Sequence, residues 1–240
     1  MKIRKFSRWG INVLFPKFCL NCGKEGDYLC PDCLSLIDVL EEQFCPVCNK
    51  RVFNGKTCFI CSRTTKLNGV FSAVSYEDKM IKKLIRQFKY KPFIKDLSKT
   101  LASLIITHFY LSNNIEFLFL GKPVLIPVPL DRKKMKMRGF NQSEEITKEL
   151  SQSLKIPLVK HALIKIKETQ SQTELSREQR KENIKGAFAC ENIEEIKNKK
   201  ILLIDDVFTT GATMNECAKV LKSAGDSEVW AITVAREEKH

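Results

Sequence analysis

The sequence predicts an α/β protein: a doubly wound parallel sheet with a small cysteine-rich module at its N-terminal end. Three observations lead there. From about residue 70 onward, short apolar runs alternate with segments of helical period, the pattern of parallel strands joined by crossover helices. Eight of the ten cysteines lie between Cys19 and Cys61, every one in a C-x-x-C pair. The apolar run Ile201–Ile204 is followed by two acidic residues and a Thr- and Gly-rich turn that opens a further helix.

Composition narrows the class. The chain has 240 residues, 43% hydrophobic and 29% charged, enough to build a core and too apolar for a disordered protein. No apolar run approaches the roughly 18 residues of a membrane span. The net charge of +13 favours an anionic partner: nucleic acid, a phosphorylated substrate or an acidic membrane surface. It is concentrated between residues 65 and 200, at net +12, whereas residues 201–240 are net −3. A basic face beside a local acidic site is expected.

The N-terminal stretch is basic and then apolar. Arg8 and Asn12 interrupt the apolar part and no small-residue cleavage site follows, so it fits a signal peptide poorly. Phe6, Trp9, Val13 and Leu14 recur at helical spacing and predict a short amphipathic helix packed on the module, with membrane contact at most peripheral. A C-x-x-C turn aims two thiolates at one point, and two such turns complete a tetrahedral zinc shell. A redox C-x-x-C normally occurs once, beside a βαβ pattern. Two structural zinc ions are therefore expected. Sequential pairing puts Cys19, Cys22, Cys30 and Cys33 on one ion and Cys45, Cys48, Cys58 and Cys61 on the other. Pairing the first knuckle with the third stays open, although the short gaps favour the sequential order. Cys190 and Cys217 stand alone and read as small buried residues. Reduced thiolates and no export signal place the protein in the cytoplasm, at most peripheral to the inner membrane. The module and its helix take residues 1–65, and the α/β domain residues 66–240.

After a polar linker at 63–68, Val70–Tyr76 reads as a strand. Ile81, Leu84, Ile85 and Phe88 then form one helical face, with Lys82, Lys83, Arg86 and Lys89 opposite. A helix over Ile94–Phe109 follows. Val124–Val128 is a strand, the run Arg132, Lys133, Lys134, Lys136 and Arg138 a basic loop, and Ser143–Leu154 a helix. Leu158–Ile166 reads as a strand. Glu168–Lys185 is too polar for core and reads as a long mobile loop or exposed hairpin. Ala187–Cys190 is a further strand. Ile201–Ile204, a helix from Ala212 to Ala224 and Val229–Ala235 complete the pattern.

The chemistry is densest at ILLIDDVFTTGAT, residues 201–213. A buried strand delivers Asp205 and Asp206 to its carboxyl end, where ligands sit in this architecture. Thr209, Thr210, Gly211, Ala212 and Thr213 then form a cradle. Small residues let backbone N–H groups approach an anion, the helix N-terminus adds a favourable field, and Thr hydroxyls add donors. Two adjacent carboxylates suit a ribose diol, directly or through Mg²⁺. Phosphoribosyl pyrophosphate combines a 5′-phosphate, a ribose diol and a need for Mg²⁺.

This stretch resembles the binding signature of type I phosphoribosyltransferases. With LFPKFCLNCG at 14–23, Phe88-Lys89-Tyr90, IPVPL at 126–130, RGFNQ at 138–142 and Gly186-Ala187-Phe188, the chain as a whole is similar to the ComF family, a double zinc ribbon fused to a phosphoribosyltransferase domain. The resemblance implies that Asp205 and Asp206 hold the ribose hydroxyls and Mg²⁺, and that Thr209 to Thr213 hold the 5′-phosphate. It places a pyrophosphate loop at Leu130, Arg132 and Arg138, and a flexible hood at Gln172, Arg180 and Asn183. Lys165 and Lys167 stand where relatives commonly carry Arg. The family link is to natural competence, with competence-machinery proteins such as a DNA helicase or processing protein as partners.

Three functions are consistent with these residues. In the first, the protein handles single-stranded DNA, with Lys82, Lys83, Arg86, Lys89, Lys133, Lys134 and Lys136 on phosphates and exposed aromatics on bases. Phe88 and Phe140 are expected in the core, leaving Tyr90 and Phe93 for stacking. In the second, it is a metabolic transferase moving the phosphoribosyl group to a nucleobase or amine. In the third, it is a ligand sensor. Thr209 and Thr210 stand where other relatives carry a carboxylate, so no general base is visible, and Asp205 and Asp206 are the best catalytic candidates.

Overall fold

The computed structural model describes residues 16–169, 176–225 and 228–237. The expected N-terminal helix around Phe6 and Trp9, and Gln172 in the hood, lie outside them.

Four parallel strands form the centre: β3 (Gly69–Ser75), β4 (Pro123–Pro127), β7 (Lys200–Phe208) and β8 (Glu228–Arg236), in the order β3-β8-β7-β4. Leu158 adds a parallel bridge to Leu125 beyond β4. Each strand is apolar on both faces because both are covered. On β7, Leu202 and Ile204 enter one hydrophobic cluster, and Ile201 and Leu203 the other. On β8, Trp230 and Ile232 alternate in the same way with Val229 and Ala231. The first face is packed by α2 (Lys79–Lys89), α3 (Leu97–Leu111) and α5 (Gln142–Leu154). The second is packed by α7 (Ala212–Gly225) and the antiparallel pair β5 (Leu163–Lys165) and β6 (Phe188–Cys190).

Local signals explain the helices. Asp78 caps α2 by accepting hydrogen bonds from Met80 N (2.7 Å) and Ile81 N (2.8 Å). Ile81, Leu84, Ile85 and Phe88 are fully buried, at about 1.5–3 kcal/mol each. Phe88 and Phe140 pack together at 5.5 Å between centroids, as expected of core residues, while Tyr90 is exposed.

Two expectations need correction. The basic run is not a loop but a short helix, α4 (Arg132–Arg138), capped by Asp131 and ended by left-handed Gly139 (φ 78°). Its sequence lacks an apolar period because none of its residues is buried. Within the polar segment 168–185, the structure forms α6 (Arg177–Ile184), nucleated by a capping box in which Ser176 and Gln179 bond each other's backbone N–H.

The cysteine module holds a single helical turn, α1 (Pro31–Leu34), and a two-stranded ribbon, β1 (Gln43–Phe44) with β2 (Arg51–Val52). It lies along β3, the edge of the central sheet, and covers backbone groups that an edge strand leaves open. Leu40 N donates to Ala73 O (2.8 Å), and Ser72 N donates to Gln43 Oε1 (3.0 Å). His108 Nδ1 of α3 lies 2.6 Å from Leu40 O. Arg236, buried at the end of β8, donates to Phe44 O (3.1 Å), Cys45 O (3.0 Å) and Asn49 Oδ1 (2.7 Å). Cys19, Cys30, Cys33, Leu29 and Ile37 join the cluster built on Phe71, α2 and α3.

This shared packing sets the effect of metal removal. Chelation is expected to lower the melting temperature of the whole chain, by on the order of 10 °C, in one transition seen alike by far-UV circular dichroism and tryptophan fluorescence. Loosening confined to residues 19–61 would show as two separate transitions.

Candidate functional site

The carboxyl ends of the strands open into a cavity of about 830 Å³. β7 brings Asp205 and Asp206 to its floor, and the following turn brings Thr209, Gly211, Ala212 and Thr213 to its wall. Gly211 adopts φ 76°, and a Cβ there would meet the Phe208 ring at 2.7 Å, so glycine alone lets the turn close before α7. Thr210 is not part of the lining; its hydroxyl lies 3.4 Å from Ala212 N.

Asp205 Oδ1 accepts from Ser143 Oγ (2.7 Å) and from Asp206 N (2.9 Å). Burial pushes its carboxyl up to about 7, and the charge of Asp206 adds to the rise against Lys89 and Ser143. Asp206 is 6% exposed and pairs with Lys89 Nζ at 2.7 Å. Burial opposes the Lys89 charge, but the attraction of Asp206 and Asp205 outweighs it and raises its pKa.

The RGFNQ segment acquires a function for nearly every residue. Arg138 Nη1 donates to Gln142 Oε1 (2.8 Å), Phe140 packs on Phe88, and Asn141 caps α5 while donating to Val128 O (2.9 Å). Ser143, the residue just after the motif, holds Asp205. Sequence reasoning missed it, although its position at the start of α5 marks it.

Leu130, Lys134, Arg138, Lys165 and Arg180 also line the cavity. Burial, followed by repulsion from Arg138, lowers the Lys134 pKa, and burial lowers that of Lys165 despite Asp131 at 3.8 Å. Arg138 Nε is buried without a hydrogen-bond partner. Seven cations thus line the cavity against four acids, Asp131, Asp205, Asp206 and Glu237.

The residues assigned to a nucleic-acid face therefore divide. Lys82, Arg86 and Lys89 recur at i, i+4 and i+7, a stripe beside the buried face of α2, and all three line the cavity, as does Lys134. These four therefore share one space with the carboxylate pair. Lys83, Arg132, Lys133 and Lys136 are exposed and absent from the lining; Lys133 pairs with Glu168 at 2.7 Å. Asn183 is half-buried on α6 outside the lining, and Lys167 is exposed.

The cysteines form two clusters in sequential order, Cys19/22/30/33 and Cys45/48/58/61, with sulfur atoms all within 4.8 Å of one another in each. Four thiols of this kind fit Zn²⁺ and leave no coordination position for water, so the fit is to a structural ion. Cys217 is fully buried and Cys190 half-buried.

A phosphoribosyl transferase domain model matches residues 141–240, and a double zinc ribbon domain model matches residues 10–64. Competence protein F of Haemophilus influenzae is 28% identical over 226 residues, covering 88% of this chain and 97% of that protein. Competence protein ComFC of Streptococcus pneumoniae is 27% identical over 212 residues, 87% of each chain. DNA utilization protein YhgH of Escherichia coli K12 is 34% identical over 110 residues, 45% of this chain and 48% of that protein. Parallel sheet, strand-end cavity and paired cysteine clusters define a phosphoribosyltransferase-domain protein with a double zinc ribbon. Within that class, the resemblance to the ComF family extends over nearly the whole chain through the two competence proteins.

The perturbed carboxyl gives a pH prediction. Folding raises the Asp205 pKa from 3.8 to about 7, so between those values the folded chain binds more protons than the unfolded one. Stability of the unliganded protein is expected to fall as pH rises from about 4 to 7. Asp205→Asn should flatten this slope in urea denaturation series.

Proposed function

We propose that the cavity binds phosphoribosyl pyrophosphate with Mg²⁺ and that the protein serves DNA uptake in natural transformation by handling single-stranded DNA. The observation that carries the ligand reading is one cavity holding a carboxylate pair, a glycine-dependent turn at a helix N-terminus, and the crowded cations Lys134, Arg138 and Lys165. A buried guanidinium N–H without a partner calls for an acceptor, and a polyphosphate supplies several.

In this reading Asp205 and Asp206 bind the ribose hydroxyls, with Ser143 orienting Asp205. The turn from Thr209 to Thr213 takes the 5′-phosphate, and Lys134 and Arg138 take the pyrophosphate. Bound Mg²⁺ would supply further charge neutralisation at the pyrophosphate. The α6 hood carries Arg180 to the rim, where closure would exclude water. The outward cations Lys83, Arg132, Lys133 and Lys136, with exposed Tyr90, are the remaining candidates for DNA contact. The relatives named for competence and DNA utilization support the setting. Competence-machinery proteins are the proposed partners and the cytoplasm the proposed compartment. Among the described residues, no helix is long and apolar enough to cross a membrane.

A second reading, transfer of the phosphoribosyl group to a base or amine, is favoured by Asp205. A cavity carboxyl with pKa about 7 is suited to take a proton from an incoming nucleophile near neutral pH.

Calorimetry should show phosphoribosyl pyrophosphate binding in Mg²⁺ buffer, abolished by Asp205→Ala with Asp206→Ala. Pyrophosphate release across a panel of bases and amines separates the readings: release with one acceptor supports transfer, and binding without release supports the DNA-uptake function. Gel shifts should show single-stranded DNA binding whose log–log salt slope is about −3 for four phosphate contacts. Absence of binding at low salt removes the DNA assignment.

A further inference from the structure

The acidic pair already has a cation of its own. Lys89 Nζ sits 2.7 Å from Asp206 Oδ1, with the lysine side chain 24% exposed and the aspartate side chain 8% exposed. Among the described residues, no other cation lies within ion-pair distance of Asp205 or Asp206. Other cavity cations have different partners: Arg138 donates to Gln142, and Lys165 donates to Thr169 Oγ1 (2.7 Å) with Asp131 at 3.8 Å. Lys89 ends α2, ahead of residues 141–240, so this cation comes from outside the matched phosphoribosyl transferase region.

Asp78 caps the start of α2, and its apolar face is fully buried, so the helix is fixed along its length. Lys89 therefore reaches the pair from a rigid support. Its ammonium carries three N–H donors, and the residue lines the cavity as well as touching Asp206. A carboxylate held by an ammonium at this distance is partly neutralised before any metal arrives. A divalent ion would have to displace the lysine or share the carboxylate with it.

We propose that Lys89 is a resident counter-ion of the Asp205–Asp206 pair that balances the charge of Asp206 and donates to the ligand's oxygens, so that phosphoribosyl ligands bind here with only partial dependence on a divalent cation. This rests on the phosphoribosyl-binding reading of the cavity. Removing Lys89 exposes Asp206 to bind Mg²⁺ more freely and leaves the ligand without its internal cation.

The test is calorimetry of phosphoribosyl pyrophosphate with zinc-loaded wild type, Lys89→Ala and Lys89→Arg, in Mg²⁺ buffer and in resin-treated Mg²⁺-free buffer. Soluble chelator is avoided because it would strip the cysteine clusters. Wild type should bind without Mg²⁺. Lys89→Ala should lose about tenfold or more of that metal-free affinity while changing much less in Mg²⁺, and Lys89→Arg should recover most of the loss. A second measurement needs no ligand: Mg²⁺ alone should raise the melting temperature of Lys89→Ala more than that of wild type. Equal Mg²⁺ dependence in wild type and Lys89→Ala, or metal-supported binding in wild type with none in its absence, overturns the proposal. Failure of wild type to bind in either buffer overturns the underlying reading and the proposal with it.

Discussion

Two neighbouring carboxylates at the end of a buried strand repel each other and lose hydration, and the surroundings of β7 answer that demand. Asp205 meets it partly by proton uptake and partly through Ser143 and the Asp206 backbone N–H. Asp206 meets it through Lys89. These partners come from α2 and α5, which pack on the same face of the sheet. Placement of both helices therefore decides the electrostatic state of the floor. Farther up the wall Lys134, Arg138 and Lys165 outnumber the one acid beside them, Asp131, so the cavity combines a neutralised floor with a net positive wall.

The strands of this fold and its cradle were legible because their signals are local. A buried parallel strand is a continuous apolar run, and Ile201–Ile204 with Val229–Ala235 reads as one in sequence and forms one in space. The apolar face of α2 was legible for the same reason. What lies on either side of that face was not. Lys82, Arg86 and Lys89 differ from Lys83 only in angle around the helix axis, and which flank meets the cavity depends on how the helix docks. The partnership of Lys89 with Asp206 spans more than a hundred residues and has no sequence period to reveal it. α4 and α6 were hidden because neither presents an apolar stripe; the capping residues Asp131, Ser176 and Gln179 were the available signals. The C-x-x-C spacing showed that ligands pair, and the observed clusters select the sequential order.

The cysteine module is more than an appendage to the sheet. Its thiols and apolar residues complete the cluster around Phe71, and its backbone covers the β3 edge. Below roughly 70 residues a single hydrophobic core seldom suffices, and crosslinking by metal is a common remedy. Here the module also borrows a core from its neighbour. Phe208 marks how near this packing comes to the site: its ring lies 5.1 Å from the Arg236 guanidinium on one side and against the position a Gly211 side chain would need on the other.

Arg236 also gives the molecule a direction in time. The ribbon carrying Cys45 and Asn49 is synthesised well before the arginine that fastens it, which follows Cys45 by 191 residues. The pairing partner of β3 is β8, from the same late segment. Metal can close the cysteine knuckles early, but their seat on the sheet is finished only when the C-terminal strand arrives. A chain stopped before residue 228 would thus carry folded knuckles with an uncovered apolar side, a species that cellular quality control is equipped to recognise.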